Sequence, residues 1–197
     1  MIDKFKDRID TEDARILRKL SAGKTSVFEL GSFAGASAMA MLPQIKEAKG
    51  HLWCVDHFRD DIYGPANRVI RPCEVVSVLM DRLENYLEMV TIIAGDIDQL
   101  DYYPEGIADM VFIDASHNYS SVKRDIKIAQ RLCRRGGTLC GHDYLRHHKD
   151  CDPHELEAWA DVGNGFYNNI CYGVIKAVHE FFGTPNHDAS IWWVTKD

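Results

Sequence analysis

Two aspartates stand at the ends of apolar runs: Asp114 after "DMVFI" (Asp109–Ile113) and Asp143 just past "GTLCG" (Gly137–Gly141). If those runs are neighbouring strands, the carboxylates converge, and like charges at close range repel unless a proton or cation lies between them. Oxygen ligands of this kind suit Mg²⁺ or another hard divalent ion. Each aspartate has a histidine close by, His117 after Asp114 and His142 directly before Asp143. Further acids follow other apolar runs. Asp56 ends "LWCVD" and lies about twenty residues past a glycine turn, a position that suits a bidentate hold on ribose hydroxyls. His57 and Phe58 suit the wall of an adenine pocket, and Asp96 suits acceptance from an adenine amino group. The glycine turn is "ELGSFAGAS" (Glu29–Ser37), where Gly31 and Gly35 allow a tight turn and close approach to a ligand. A helix opening near Gly35 would face its free N–H groups toward an anion. The spacing is G-x-x-x-G, neither the dinucleotide fingerprint nor a P-loop. Singly, these residues have plainer readings: Asp114 suits a helix N-cap, and Asp56 or Asp96 a solvated turn. Their ordered recurrence after consecutive runs is the stronger signal.

These residues need elements to hold them. The apolar runs are "SVFEL", "HLWCV", "VTIIA", "DMVFI", "GTLCG" and "IWWV". Most are uniformly apolar, as expected of strands covered on both faces. Helical patterns lie between several of them. "GASAMAMLPQIKEAK" follows the first, and its Pro43 predicts a kink or an early end. "CEVVSVLMDRLENYL" precedes the third, with Val76, Leu79, Met80, Leu83 and Leu87 at helical spacing. "SSVKRDIKIAQRLC" follows the fourth, with Val122, Ile126, Ala129 and Cys133 on one stripe. An N-terminal helix spans residues 10–24, with Thr11 as N-cap and Gly23 as stop. "YGVIKAVHEFFG" ends at Gly183 before the last strand. The alternation predicts one α/β domain over residues 1–197: a mostly parallel seven-stranded sheet, helices on both faces, and an antiparallel edge strand. Ligands of such sheets sit beyond the carboxyl ends of the strands.

The chain has 197 residues, enough for one closed core. Its formal net charge is −7, which argues against a general nucleic-acid binder or docking on anionic lipid. No apolar run approaches the roughly 20 residues that span a bilayer. The six cysteines form no CxxC pair. With no secretory h-region in "MIDKFKDRID", they read as reduced thiols of a cytoplasmic protein. The apolar helix faces fit burial in a monomer and a homo-oligomer equally.

Together, "VFELGSFAGAS", "VDHF", "AGDI", "DMVFIDASHNYSSVKRDI" and "GGTLCGHDY" resemble the class I S-adenosylmethionine-dependent methyltransferases, of Rossmann-like fold. The resemblance is to the subgroup with D-x-x-H-x-Y and G-G-x-x-x-x-H-D signatures. That subgroup is similar to the metal-dependent macrolide-sugar O-methyltransferases and, more distantly, to catechol O-methyltransferase. The resemblance covers roughly residues 11 to 197 and implies S-adenosyl-L-methionine as cofactor and a small, hydroxylated substrate. Glu29, Gly31 and Gly35 would hold the methionine part, Asp56 the ribose, and Asp96 with Ile97 the adenine, while Ser32, His57 and Asp114 would also be cofactor-binding. Asp114, His142 and Asp143 would be the metal set, His142 standing where relatives often place a carboxylate. Histidine there shifts preference from Mg²⁺ toward softer ions. His117 would be the general base, acting beside Asp114.

Two other classes fit the same residues. One is a cofactor-binding protein without methyl transfer. The other is a metal-dependent hydrolase or a structural zinc protein built on His147, His148, Cys151 and His154, whose Cys151-x-x-His154 spacing is permissible for zinc. The segment 144–169 is long, polar and dotted with aromatics, and reads as an acceptor-binding lid. Trp159, Phe166 and Tyr167 would either stack on an acceptor or pack the lid onto the domain. The loop Arg59–Pro72 reads as the opposite wall.

Overall fold

The structure, a computed structural model, describes residues 9–59, 61–63 and 68–197, with 61–63 and 68–70 taken as backbone only. The first eight residues and most of the expected opposite wall lie outside the described side chains. The strands in chain order are β1 (Ser26–Leu30), β2 (His51–Asp56), β3 (Asp61–Tyr63), β4 (Arg68–Ile70), β5 (Val90–Ala94), β6 (Ala108–Ile113), β7 (Cys133–Gly141), β8 (Phe166–Tyr167), β9 (Ile170–Cys171), β10 (Asn186–Asp188) and β11 (Ile191–Thr195). The helices are α1 (Thr11–Ser21), α2 (Ala36–Glu47), α3 (Pro72–Leu83), α4 (Tyr119–Leu132), α5 (Pro153–Trp159) and α6 (Tyr172–Phe182).

The main sheet has seven strands in the order β10-β11-β7-β6-β1-β2-β5. β7, β6, β1, β2 and β5 are parallel, whereas β11 runs antiparallel to both neighbours, with short β10 outside it. The order reverses between β1 and β6, which opens a crevice at their carboxyl ends. Period-two alternation sends neighbouring side chains to opposite faces. Val27, Leu52, Cys54, Met110, Phe112 and Cys140 pack with α1 and α2. Phe28, Leu30, Val111, Ile113 and Leu139 pack with α4 and α6. Each such fully buried large side chain contributes about 1.5–3 kcal/mol by leaving water.

Several local expectations are corrected. The N-cap of α1 is Asp10, which accepts from the Glu12 N–H, and not Thr11. Pro43 does not end α2, which runs on to Glu47. Its neighbours Ala38, Met41, Leu42 and Ile45 are all fully buried, and that packing offsets one missing backbone bond. α3 stops at Leu83 and continues as a 3₁₀ turn over Glu84–Met89. Leu87 therefore leaves the α-helical period, and the buried face is Val75, Val78, Leu79 and Leu83, with Met80 exposed. Cys133 opens β7 and does not extend the α4 stripe.

Candidate active site

The glycine turn leaves β1 at the crevice. Gly31 N–H donates to the Val55 carbonyl, and across the crevice Asp114 N–H donates to Leu30. Gly31 has φ 93°, and a Cβ there would overlap the Asp114 carbonyl oxygen and lie 2.6 Å from Ala115 Cα. Only glycine lets β1 and β6 meet this closely. Gly35, φ 80°, begins α2, and a Cβ there would lie 2.6 Å from Leu79 Cδ1.

A cavity of about 510 Å³ opens over these strand ends, within the size range of small-molecule sites. Gly31, Ser32, Asp56, His57, Asp96, Ile97, Asp114, His117, His142 and Asp143 all line it. Glu29 and Gly35 do not. Glu29 is fully buried below the turn, where Ser37 Oγ donates to it and burial pushes its carboxyl pKa up. It braces the loop from beneath, because strand alternation turns it toward α2 and away from the cavity. Asp56 accepts from the N–H groups of Phe33 and Phe58, both at 2.8 Å. Both phenylalanines have positive φ, 42° and 44°, so this carboxylate holds two strained turns in place. Each of its oxygens keeps a further lone pair for a hydroxyl. Asp96 already faces Arg59, 2.7 Å away.

At the other end of the cavity, four side chains from two strand ends converge. His117 Nε2 lies 2.8 Å from Asp143 Oδ2, and His142 Nδ1 lies 3.3 Å from the same oxygen and 3.7 Å from Asp114 Oδ1. Asp143 has φ 63°, a left-handed conformation uncommon for a residue with a side chain. Burial, with Asp143 alongside, lifts the Asp114 carboxyl to about 7 against the pull of His142 and His117. Burial also works against charge on Asp143, but hydrogen bonds from His117 and His142 hold its pKa well below the usual range. Burial opposes the imidazolium of His142, yet Asp114, Asp13 and Asp143 outweigh it and raise its pKa to about 11. His117 is raised as well, its bond to Asp143 outweighing burial. Asp114 is not the helix cap: Asn118 caps α4 through the Ser121 N–H.

Among the described residues, the group whose ligand atoms lie mutually within 4.8 Å is Asp114, His117 and Asp143. His117 thus joins the two carboxylates, and His142 Nδ1 faces both of them as well. His142 turns its Nε2 away, to Asp13 Oδ2 at 3.2 Å and Ser190 Oγ at 2.9 Å. Neither Asp13 nor Ser190 stood out in the sequence. Asp13 occupies the first turn of α1, where an acidic residue needs no further reason.

The segment 144–169 forms a 3₁₀ turn, α5 and most of the β8–β9 hairpin. Trp159 and Tyr167 stack on each other, centroids 4.1 Å apart, while Phe166, 43% exposed, lines the cavity with Asn164. Cβ atoms at Gly165 and Gly173 would overlap the His117 carbonyl, so this cover seats directly on the His117 backbone. The other histidines disperse. His147 meets His187 edge-on at 4.3 Å, and His148 stacks on His179 at 3.8 Å. His154 follows the Asp152 cap of α5. The zinc set read from sequence is therefore not assembled among the described residues. No described helix is long and apolar enough to cross a membrane, and the six cysteines are free thiols.

Residues 28–144, more than half of the chain, match the family described as a methyltransferase domain. The chain belongs to this methyltransferase family. The match runs from β1 to the residue after Asp143 and so contains the glycine turn and all four converging side chains. Among solved structures, the chain is similar to the O-methyltransferase TomG from Streptomyces achromogenes, involved in tomaymycin synthesis and solved with SAM. Identity is 15%, coverage 96% of this chain and 82% of that one, and the TM-score 0.65. An O-methyltransferase from Bacillus cereus, solved with SAH, shares 15% identity over 97% of this chain and 84% of that one, with a TM-score of 0.64. Among curated proteins none matches. At these identities the structural likeness establishes the methyltransferase fold.

Proposed function

We propose that this methyltransferase transfers the methyl group of S-adenosylmethionine to a hydroxyl of a small polar metabolite, assisted by a divalent ion. The observation that carries the reading is one continuous cavity with a nucleoside-type end, at Gly31, Asp56 and Ile97, and a carboxylate–histidine end at Asp114, His117 and Asp143. The residues fit both groups. Gly31 permits close approach, Asp56 keeps lone pairs for hydroxyls, and Asp114 and Asp143 bring two carboxylates to one end of the cavity.

Asp114 and Asp143 would hold the ion. A bound divalent ion lowers the pKa of an acceptor hydroxyl and orients it. The chain supplies the rest. Asp143 Oδ2 accepts from His117 Nε2–H, which leaves Nδ1 as the atom that takes the acceptor proton. The cover from 153 to 171 excludes water, and Phe166 offers an apolar face to the acceptor. Methyl transfer from a sulfonium is an in-line displacement, so holding both partners in register is the main demand on the fold.

The test is formation of S-adenosylhomocysteine across a panel of hydroxylated small molecules, using wild type and Asp143→Ala with Mg²⁺ or chelator. Full activity in Asp143→Ala, or indifference to chelator, overturns the ion-assisted reading. Failure of S-adenosylhomocysteine to bind in calorimetry overturns the cofactor assignment.

A further inference from the structure

Asp13 belongs to α1, outside the matched family segment, yet it reaches the candidate active site. It is 4% exposed and its bonds are specific. Oδ1 accepts from the Ser190 backbone N–H at 3.0 Å, and Oδ2 accepts from Ser190 Oγ–H at 2.8 Å. Oδ2 also lies 3.2 Å from His142 Nε2, and Ser190 Oγ lies 2.9 Å from the same nitrogen. Ser190, 7% exposed, sits in the turn between β10 and β11. Two elements far apart in sequence therefore clamp one edge of the His142 ring.

The donor count fixes the proton. Ser190 has one hydroxyl proton, and it is given to Asp13. An ionised carboxylate only accepts. Both groups thus present lone pairs to Nε2, and Nε2 must carry a hydrogen. The ring is pinned with its opposite edge, Nδ1, over Asp143 and Asp114. A histidine beside a bound ion is held in this way, its outer ring N–H given to a carboxylate, which fixes the orientation of the ring.

We propose that Asp13 and Ser190 are positioning residues that act through His142 to set the two carboxylates, Asp114 and Asp143, for their ion. His142 then turns its Nδ1 edge toward the place where Asp114 and Asp143 would hold the ion. The inference rests on the ion-assisted reading, but its first test does not.

That test is ¹⁵N-edited NMR of the imidazoles, with His142 assigned by its loss in His142→Gln. Wild type shows a protonated Nε2 whose hydrogen exchanges slowly. Asp13→Asn is nearly isosteric and keeps the bond from the Ser190 N–H, but it turns an N–H donor toward His142. The Nε2–H resonance is therefore lost, and the ring keeps its hydrogen at Nδ1, toward Asp143. An Asp13→Asn spectrum identical to wild type overturns the proposal. The second test titrates Mn²⁺ alone, followed by electron paramagnetic resonance. Ser190→Ala keeps Asp13 and its backbone bond, so the fold is retained, and Mn²⁺ affinity falls by about 10–100-fold. S-adenosylhomocysteine affinity without metal stays unchanged. Wild-type Mn²⁺ affinity in Ser190→Ala and Asp13→Asn alike overturns the proposal. A wild type that binds no Mn²⁺ instead overturns the ion-assisted reading, and the NMR result still decides whether Asp13 positions His142.

Discussion

Replacing Gly31 by alanine tests whether the crevice depends on direct contact between the glycine turn and the end of β6. Two costs add. The first is conformational: φ is 93°, and a left-handed backbone costs an L-residue about 1–2 kcal/mol. The second is steric. The new methyl would overlap the Asp114 carbonyl and lie 2.6 Å from Ala115 Cα, both backbone atoms that cannot swing aside. Forced overpacking of this kind costs about 1–3 kcal/mol. Gly23→Ala separates the two, because Gly23 has φ 73° and nothing within 4 Å of its Cβ position. It reports the backbone cost alone. Gly35→Ala falls between them, since the methyl would meet only the flexible end of Leu79. Gly31→Ala should therefore lose about 2–5 kcal/mol in urea unfolding at constant slope, a large part of the 5–15 kcal/mol typical of a domain. It should also weaken S-adenosylhomocysteine binding in calorimetry, because β6 must retreat and carry Asp114 with it. A Gly31→Ala protein no less stable than Gly23→Ala, with wild-type affinity, would refute the argument that contact at this point shapes the site.

Other expectations are independent of that contact. Asp56→Ala leaves the Phe33 and Phe58 N–H groups without their acceptor, and S-adenosylhomocysteine affinity should drop by at least about tenfold, measured by calorimetry. Phe166→Ala should raise KM for the acceptor and leave the melting temperature unchanged, since the ring is already 43% exposed. Burial tends to raise the Asp109 pKa, but bonds from Thr25 and Arg134 hold it at about 2, below its unfolded value. Its contribution, about 2 kcal/mol, is complete above the unfolded pKa and fades as pH falls through about 2. Asp109→Asn should accordingly cost urea stability at pH 7 and nearly none at pH 2. Asp125 has the opposite sign, because full burial lifts its pKa to about 6. It weakens the fold increasingly as pH rises from about 4 to 6, so Asp125→Asn should stabilise at pH 8 and be neutral at pH 3.5.

The sheet was legible because its strands carry their own evidence. β1, β6 and the end of β7 are buried on both faces, and an apolar run bounded by glycine or acid has few other uses. The acids at the strand tips were legible for the same reason: Asp56, Asp96, Asp114 and Asp143 break apolar runs at corresponding points. α3 was misread at Leu87 because a change from α to 3₁₀ period leaves composition untouched. β10 escaped because "NHD" is too short and polar to announce a strand, and it forms only because β11 pairs with it.

The histidines show where local reading stops. In sequence, His142, His147, His148 and His154 form one dense group, and His117 stands apart. Folding reverses this. His117 joins Asp143 at 2.8 Å, whereas His147 and His148 turn to His187 and His179. His142 lies between, with one nitrogen toward the carboxylates and the other clamped by Asp13 and Ser190. Nothing near Asp13 in "TEDARILRKL" foretells that contact, because its partner lies 129 residues away and a first-turn acid already satisfies the helix. The ring nitrogens have distinct partners, so the part each histidine plays follows from what holds its far edge. His117 has Asp143 at one nitrogen, and the proposed mechanism assigns the acceptor's proton to the other. His142 has both nitrogens committed among three carboxylates and a serine, which fits it to hold its neighbours in place and not to exchange protons during turnover.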